Sequence, residues 1–312
     1  MAEIWTMGEM LVEIMRPRAG MQLSQAGEFQ GPFPSGAPAI FIDAAARLGH
    51  TAGIIGGVGA DDFGLCLLER LRSDGVELKF VEIIPNRATA VAFVTYFEGG
   101  SRKFIFHIDG TPAVMVRFPD QAATQQAGFF HVMGCSLMAN DSFRGEIFKA
   151  VESFHTAGTR ISFDPNIRPE LLAGRNIMDI IGPVLERASV VLPGEAELRL
   201  ISGAKDIANS VDLLFKNPIL ELIVLKRGKQ GATIFSREGA IETPAYAVEE
   251  IDPTGAGDVF DAGFLCSLLE GKSLEACGKI AAAAGALNAA AFGPMEGKIS
   301  PASVQDLIRS RG

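Results

Sequence analysis

Short, mostly apolar runs recur along this chain, and over most of its length they alternate with stretches of helical spacing. The runs are Ile4–Met7, Ala52–Gly57, His131–Gly134, Arg160–Asp164, Ser189–Leu192 and Leu222–Lys226. A strand with one wet face alternates polar and apolar residues, whereas a run apolar at every position is buried on both faces. Helices are predicted at Ala37–Leu48 (with Gly49 as its stop), Phe63–Ser73, Ser142–His155, Ile177–Arg187, Glu195–Ser202 and Val211–Lys216. Asp258–Leu269, Leu274–Ala291 and Pro301–Arg309 close the chain with three more. Strand-then-helix repetition of this kind leads to a mainly parallel sheet covered on both faces, an α/β/α sandwich. With 312 residues and 48% hydrophobic content, the chain suits one domain over 1–312 carrying a small appendage.

The rhythm breaks twice. Ala88–Phe97 and Arg102–Ile108 read as strands joined at Glu98-Gly99-Gly100-Ser101, a hairpin signal. Met10–Met15 and Gly27–Phe33 also look extended. Segments from about 10–33 and 88–110 therefore predict a separate small β-sheet, suited to a lid that excludes water, or to a homodimer surface.

A net charge of −9 argues against a nucleic-acid partner. Cys66, Cys135, Cys266 and Cys277 lack metal-ligand spacing and read as reduced thiols, which fits a cytoplasmic setting. The first fifteen residues carry Glu3, Glu9 and Glu13 and lack a basic start, so they do not read as a signal peptide. The apolar stretch Ile280–Phe292 is too short to span a bilayer, so no membrane association is expected.

The chemistry concentrates in Asp252-Pro253-Thr254-Gly255-Ala256-Gly257-Asp258, directly before an apolar helical run. A helix N-terminus presents free amides and a positive dipole end, which attract phosphate. Glycines 255 and 257 remove the Cβ atoms that would keep an anion away. A carboxylate beside such a cradle repels a resting anion but suits an attacking hydroxyl, so Asp258 points to group transfer. Asp164-Pro165-Asn166-Ile167-Arg168 follows another strand, where open α/β sheets bind ligands. Its Asn166 and Arg168 supply donors for hydroxyl or phosphate oxygens. Glu195 and Glu197 stand at a third strand end, able to act on Mg²⁺ through water or simply to favour a helix start. Lys226 to Gly231 ends a fourth strand in a turn that passes near phosphates or is merely solvated. Gly57-Val58-Gly59-Ala60-Asp61-Asp62-Phe63-Gly64 has Asp62 where a dinucleotide fingerprint needs glycine, and reads as a tight turn with a structural or substrate-side role.

Taken in order, Gly8-Glu9, Ser35-Gly36-Ala37-Pro38-Ala39, Gly57-Val58-Gly59, Asp164-Pro165-Asn166, Glu195/Glu197, Lys226-x-Gly228 and Asp252 through Asp258 resemble the ribokinase-like (PfkB) carbohydrate kinases over nearly the whole chain. The resemblance implies a three-layer α/β/α domain with a β-sheet lid, and transfer of the γ-phosphoryl of ATP to a sugar hydroxyl. It makes Asp258 the general base and Gly255, Ala256 and Gly257 the anion hole. It places Glu13, Gly36, Ala37, Asn166 and Arg168 at the sugar, and Lys226, Gly228, Thr254 and Asn288 at the nucleotide. Glu197 becomes the acid tied to Mg²⁺ and Asp252 part of the metal and phosphate neighbourhood, with K⁺ an optional further cofactor. An aspartate of ordinary pKa near ~4 is a poor base at neutral pH, so late proton uptake is expected.

Departures bear on substrate. Ser35 replaces a usual glycine, Ile40 a usual asparagine, Glu13 a usual aspartate, and Gly194 the asparagine that commonly precedes the Mg-linked glutamate. Kinases of acidic sugars usually carry a lid arginine near the position of Phe106-His107-Ile108, where this chain has none. The expected acceptor is therefore a neutral ketohexose such as tagatose or fructose, phosphorylated at a terminal hydroxyl. The alternatives are 2-keto-3-deoxygluconate kinase, a nucleoside kinase of the same fold, and a non-catalytic sugar or nucleotide sensor.

Overall fold

The computed structural model describes residues 2–97, 101–119, 127–172 and 174–311. Strands β1 (Ile4–Met7), β2 (Leu11–Met15), β3 (Gln30–Ser35), β4 (Ala52–Gly59), β5 (Glu77–Ile84), β6 (Ala90–Tyr96) and β7 (Arg102–His107) occupy the first third. They are followed by β8 (Phe129–Met133), β9 (Arg160–Asp164), β10 (Ala188–Val191), β11 (Leu222–Lys226), β12 (Ala232–Ser236) and β13 (Gly239–Thr243). The helices are α1 (Ala37–Arg47), α2 (Asp62–Ser73), α3 (Gly134–Ala139), α4 (Asp141–Thr156), α5 (Pro169–Leu172) and α6 (Ile177–Leu185). Then come α7 (Glu195–Ser202), α8 (Ile207–Leu214), α9 (Ala256–Leu269), α10 (Leu274–Ala289) and α11 (Pro301–Arg311).

Nine strands form the main sheet in the order β13-β12-β11-β10-β9-β8-β1-β4-β5. Pairing is parallel from β5 to β11, while β12 and β13 add an antiparallel edge. Successive residues serve opposite faces. Ile4, Ile54, Phe129 and Val224 join the core beneath α1, α9 and α10, whereas Trp5, Ile55, Phe130 and Ile223 join the core beneath α4, α6 and α7. That two-residue period, apolar on both sides, is the physical content of the continuous runs.

The second sheet has four strands in the order β3-β2-β6-β7. Its members come from the segments expected to form the lid. Of the expected hairpin turn, residues 98–100 lie outside the described residues; on either side, Phe97 N donates to Ser101 O at 2.8 Å.

Three readings change. Gly57 lies inside β4 and Gly59 ends it. A Cβ on Gly57 would stand 2.5 Å from Val116 Cγ2, and one on Gly59 only 2.3 Å from the Arg87 carbonyl. These glycines let a loop and the lid's base pack on the strand, so the segment is structural and outside the cavity described below. Asp61 caps α2 through Gly64 N and also accepts from Thr89, tying β6's approach to the sheet. The helix expected at Val211–Lys216 begins earlier, at Ile207, because Asp206 caps it by accepting from Asn209 N. Strand β8 ends at Met133, and Gly134 opens α3 instead of closing the strand.

Candidate active site

From β1 the chain moves to β4 and β5 on one side, and later to β8 through β11 on the other. The two directions of winding part at β1, and a crevice forms there beyond the carboxyl ends of the strands. A cavity of about 210 Å³ sits at this place. It is lined by residues that follow or end five parallel strands: Glu9 after β1, Cys135 after β8, Asp164 and Asn166 at β9, Gly194 after β10, and Lys226 ending β11. Helix α9 supplies Gly257 and Asp258 from its first turn, and the lid supplies Glu13, Arg102, Phe104 and Phe106.

The start of α9 is built for an anion. Gly255 caps the helix at φ 77°, and a Cβ there would lie 2.5 Å from the Pro294 carbonyl. Only glycine takes that conformation without strain. The first-turn amides of Gly257 and Asp258 have no acceptor within the helix. Asn288, which α10 contributes, donates from Nδ2 to the carbonyls of Thr254 (2.9 Å) and Pro294 (3.0 Å). Asn288 is 0% exposed and does not line the cavity; it braces the cradle from behind.

Asp258 is buried and 7% exposed. Burial first, and the like charge of Asp164 second, push its carboxyl up to about 7. The expectation of an ordinary aspartate is thereby corrected. A base with a pKa near the working pH combines adequate ionisation with real proton affinity.

Around Asp258 the charges are tied together. Lys226 Nζ donates to Asp164 Oδ2 at 2.9 Å and to both oxygens of Asp261 at 3.0 Å. Its ammonium lines the cavity, yet its charge is already balanced by two buried carboxylates. Gly228 lies on the exposed 3-10 turn beyond it and does not line the cavity. Glu197 accepts from Ile167 N at 2.8 Å and Gly194 N at 2.7 Å, which holds the loop after β9 against the turn after β10. Burial and Asp164 raise its pKa. Glu195 faces outward to Arg199.

Glu13 accepts from Ser35 Oγ at 2.6 Å, and burial pushes its carboxyl up to about 7. Gly36, at φ 101°, caps α1 where a Cβ would meet the Glu9 carbonyl at 2.4 Å, and Ala37 begins that helix on the cavity wall. Glu9 is fully buried and accepts from Cys135 Sγ and Ser136 Oγ. Arg168 lines the cavity.

Sequence reasoning missed the lid's grip on the cradle. Tyr96 and Arg102 face each other across β6 and β7. The Tyr96 hydroxyl bonds Asp252 Oδ1 at 2.6 Å and Thr254 Oγ1 at 2.5 Å, and Arg102 Nη1 lies 3.4 Å from the same Thr254 oxygen. Asp252 Oδ2 accepts from Gly293 N at 3.0 Å. Asp252 thus organises the loop and lies outside the cavity wall. The signal available was the hairpin's alternation, which puts residues 96 and 102 on one face. Asp261 was also missed; its spacing of one helical turn from Asp258 was the clue.

Among the described residues no cluster of three or more His, Cys, Asp or Glu forms a preformed metal cage. Mg²⁺ does not need one, since it keeps several waters and leans on one or two carboxylates plus substrate phosphates. The cavity is lined by Glu9, Glu13, Asp164, Glu197 and Asp258, and of these Glu197 is the one expected for Mg²⁺.

Comparison with known proteins agrees with this arrangement. The pfkB family carbohydrate kinase model matches residues 1–300. Fructokinase-1 of Oryza sativa is 32% identical over 97% of this chain and 96% of its own length. The fructokinase of Salmonella typhimurium is 32% identical over 86% of this chain and 84% of its own. Among solved structures, an E. coli protein described as a ribokinase II, in complex with ATP and Mg²⁺, superposes with a TM-score of 0.93 at 36% identity, covering 99% of this chain and all of that one. A Vibrio cholerae fructokinase variant with bound fructose, ADP and potassium ion superposes with a TM-score of 0.88 at 26% identity, covering 99% and 98%. This chain therefore belongs to the pfkB family of carbohydrate kinases, ATP-dependent phosphotransferases.

Proposed function

We propose that the acceptor is a ketohexose of the fructose or tagatose kind, phosphorylated at a terminal hydroxyl. The observation that carries this reading is a pair of buried acceptors without donors. Among the described residues, Glu13 Oε2 and Asn166 Oδ1 both lack a hydrogen-bond partner, and both residues line the cavity. Leaving such atoms unpaired costs ~1–3 kcal/mol each, a cost that a polyol's hydroxyls remove. The cavity is smaller than the ~300–1,000 Å³ of typical drug-sized sites, which suits a small sugar. Phe104, Phe106, Ile108 and Ile40 give it an apolar wall, fit for the carbon face of a ring and for keeping water out. Similarity to fructokinases points the same way.

In the mechanism that follows, Asp258 aligns the terminal hydroxyl and accepts its proton as the new O–P bond forms. The α9 amides, joined by Arg168 and Arg102, neutralise the charge on the migrating phosphoryl group, the main requirement of a loose transition state. Glu197 would hold Mg²⁺ through water, and the ion would supply further neutralisation between the phosphates. K⁺, if used, would find an oxygen ligand behind the cradle in the buried Asn288 Oδ1, which has no donor among the described residues. Thr254 and the turn bearing Gly228 would border the nucleotide. The lid sheet, with Ile105 and Phe29 exposed, would be the contact in a homodimer.

One observation favours a second reading, 2-keto-3-deoxygluconate kinase. Arg102 and Arg168 both line the cavity, and neither has a hydrogen-bonded carboxylate partner among the described residues. A sugar carboxylate would supply one. The test is a panel of ketoses, aldoses and sugar acids with ATP and Mg²⁺, read by product mass. Turnover confined to an acid sugar rejects the ketohexose assignment. Tight binding with no sugar phosphate formed by any acceptor would leave a sensor.

A further inference from the structure

We propose that Asn166 is a positioning residue for the Asp258 base, the part through which the sheet fixes the orientation of the reacting carboxylate. The inference rests on the kinase reading of this site and goes beyond a contact to the sugar.

Asn166 sits in the turn after β9 at φ 37°, a left-handed conformation that asparagine tolerates better than other side-chain-bearing residues. The turn is pressed onto the start of α3: a Cβ on Gly134 would stand 1.9 Å from the Pro165 carbonyl. Asn166 N donates to Asp164 Oδ1 at 3.0 Å, which holds the turn closed. Its side-chain Nδ2 then donates to Asp258 Oδ1 at 3.1 Å. Among the described residues this is the one hydrogen bond given to the Asp258 carboxylate. The amide orientation follows from the network, because the reverse would set Asn166 Oδ1 against a carboxylate oxygen.

The contacts close a ring. Asn166 is bound to Asp164, Asp164 to Lys226, and Lys226 to Asp261. Asp261 lies one turn along α9 from Asp258, on the same face. Strand ends and helix are thereby locked together, and Asn166 is the link that touches the base. With Oδ1 engaged, Oδ2 is the oxygen left for the incoming hydroxyl. Loss of the amide frees the carboxylate to rotate about its Cβ–Cγ bond, and misplacement of about 1 Å costs ~10²-fold in rate.

The test compares wild type, Asn166→Gly, Asp258→Ala and the double variant. Each is assayed with Mg²⁺–ATP and whichever acceptor of the panel wild type turns over. Glycine keeps the left-handed backbone and removes only the amide. The expected result is a fall in kcat of ~10²-fold with a smaller change in sugar KM. In the Asp258→Ala background the same change should cost little more, because residues acting as one unit are non-additive. Equal losses in both backgrounds would overturn the proposal, as would a raised sugar KM with kcat intact, which makes Asn166 a sugar contact alone.

Should the glycine variant unfold, Asn166→Asp keeps size and backbone tolerance but replaces the donor by a carboxylate. The groups facing Asp258 are Asp164 at β9, Lys226 at β11, Arg168 after β9, Arg102 on the lid and Cys135 on α3. All remain in that variant, so a rise in the acid limb of the kcat–pH profile reports the change at position 166. An unmoved limb sinks the idea. Failure of every ketose in the panel would remove the ketohexose assignment and leave this test standing on another acceptor.

Discussion

Asp258→Asn should make the protein inactive and more stable, and only above a defined pH. Burial, and then the like charge of Asp164, push the Asp258 carboxyl up to about 7, well above the ordinary aspartate value of 3.8. A folded pKa above the unfolded one means that ionisation opposes folding. The cost begins as pH passes the unfolded value near 4, grows until pH reaches the folded value near 7, and is constant beyond. At ~1.4 kcal/mol per pH unit across that interval, the upper bound is roughly 4 kcal/mol, which water entry and relaxation of the cavity reduce. Asparagine has the same shape, carries no charge and still offers an acceptor to Asn166. The variant should unfold several degrees above wild type at pH 8, since ~1 kcal/mol moves the Tm of a 150–250-residue domain by ~2–4 °C and a longer chain by less. At pH 4 the two should coincide. Differential scanning calorimetry across pH 4–8 measures this, with a coupled assay to show loss of kcat by ~10²–10⁴-fold. A variant no more stable than wild type at pH 8, or equally stabilised at both ends, would refute the account of Asp258 as a buried, reluctant anion.

Three further outcomes follow from the geometry. Tyr96→Phe removes the phenol shared by Asp252 and Thr254; a loss of ~1–3 kcal/mol in lid docking should appear as a higher sugar KM and as ATP hydrolysis uncoupled from sugar, and unchanged coupling would count against the latch. Gly255→Ala places a methyl against the Pro294 carbonyl at a positive φ, so kcat should fall at least tenfold while Gly257→Ala, with 3.8 Å to its nearest neighbour, is milder in stability. Glu13 titrates near 7, so the sugar KM should rise as pH falls below 7 and an acceptor becomes a donor; in Glu13→Gln that dependence should flatten, as steady-state kinetics from pH 5.5 to 8.5 would show.

The sheet was legible because parallel strands buried on two faces leave an unbroken apolar signature. Strands β5, β12 and β13 escaped that reading for the same reason. They lie at or near the edges, where partly exposed residues such as Glu77, Lys79 and Glu242 interrupt the run. In the site, the α9 cradle and Asp258 could be read locally because a helix start and its first turn are contiguous in sequence. Tyr96, Arg102 and Asp261 could not, since their meaning depends on which strand or helix face comes to lie beside Thr254 and Lys226. For Asn288, position near the chain's end said only where it lies; its two carbonyl partners, which hold the cradle from behind, depend on the folded packing.

The β6–β7 pairing has one last implication for how this lid tolerates change. Side chains along a hairpin alternate in direction, and Tyr96 stands opposite Arg102 with Phe104 and Phe106 following on the cavity side. A single residue added or deleted in β7 would turn Lys103, Ile105 and His107 inward and send the Arg102 guanidinium to solvent, and one in β6 would do the same to the Tyr96 phenol. Two-residue length changes near the tip would preserve the facing set. Length variation in this hairpin should thus be tolerated in even steps, and odd steps should require a compensating bulge.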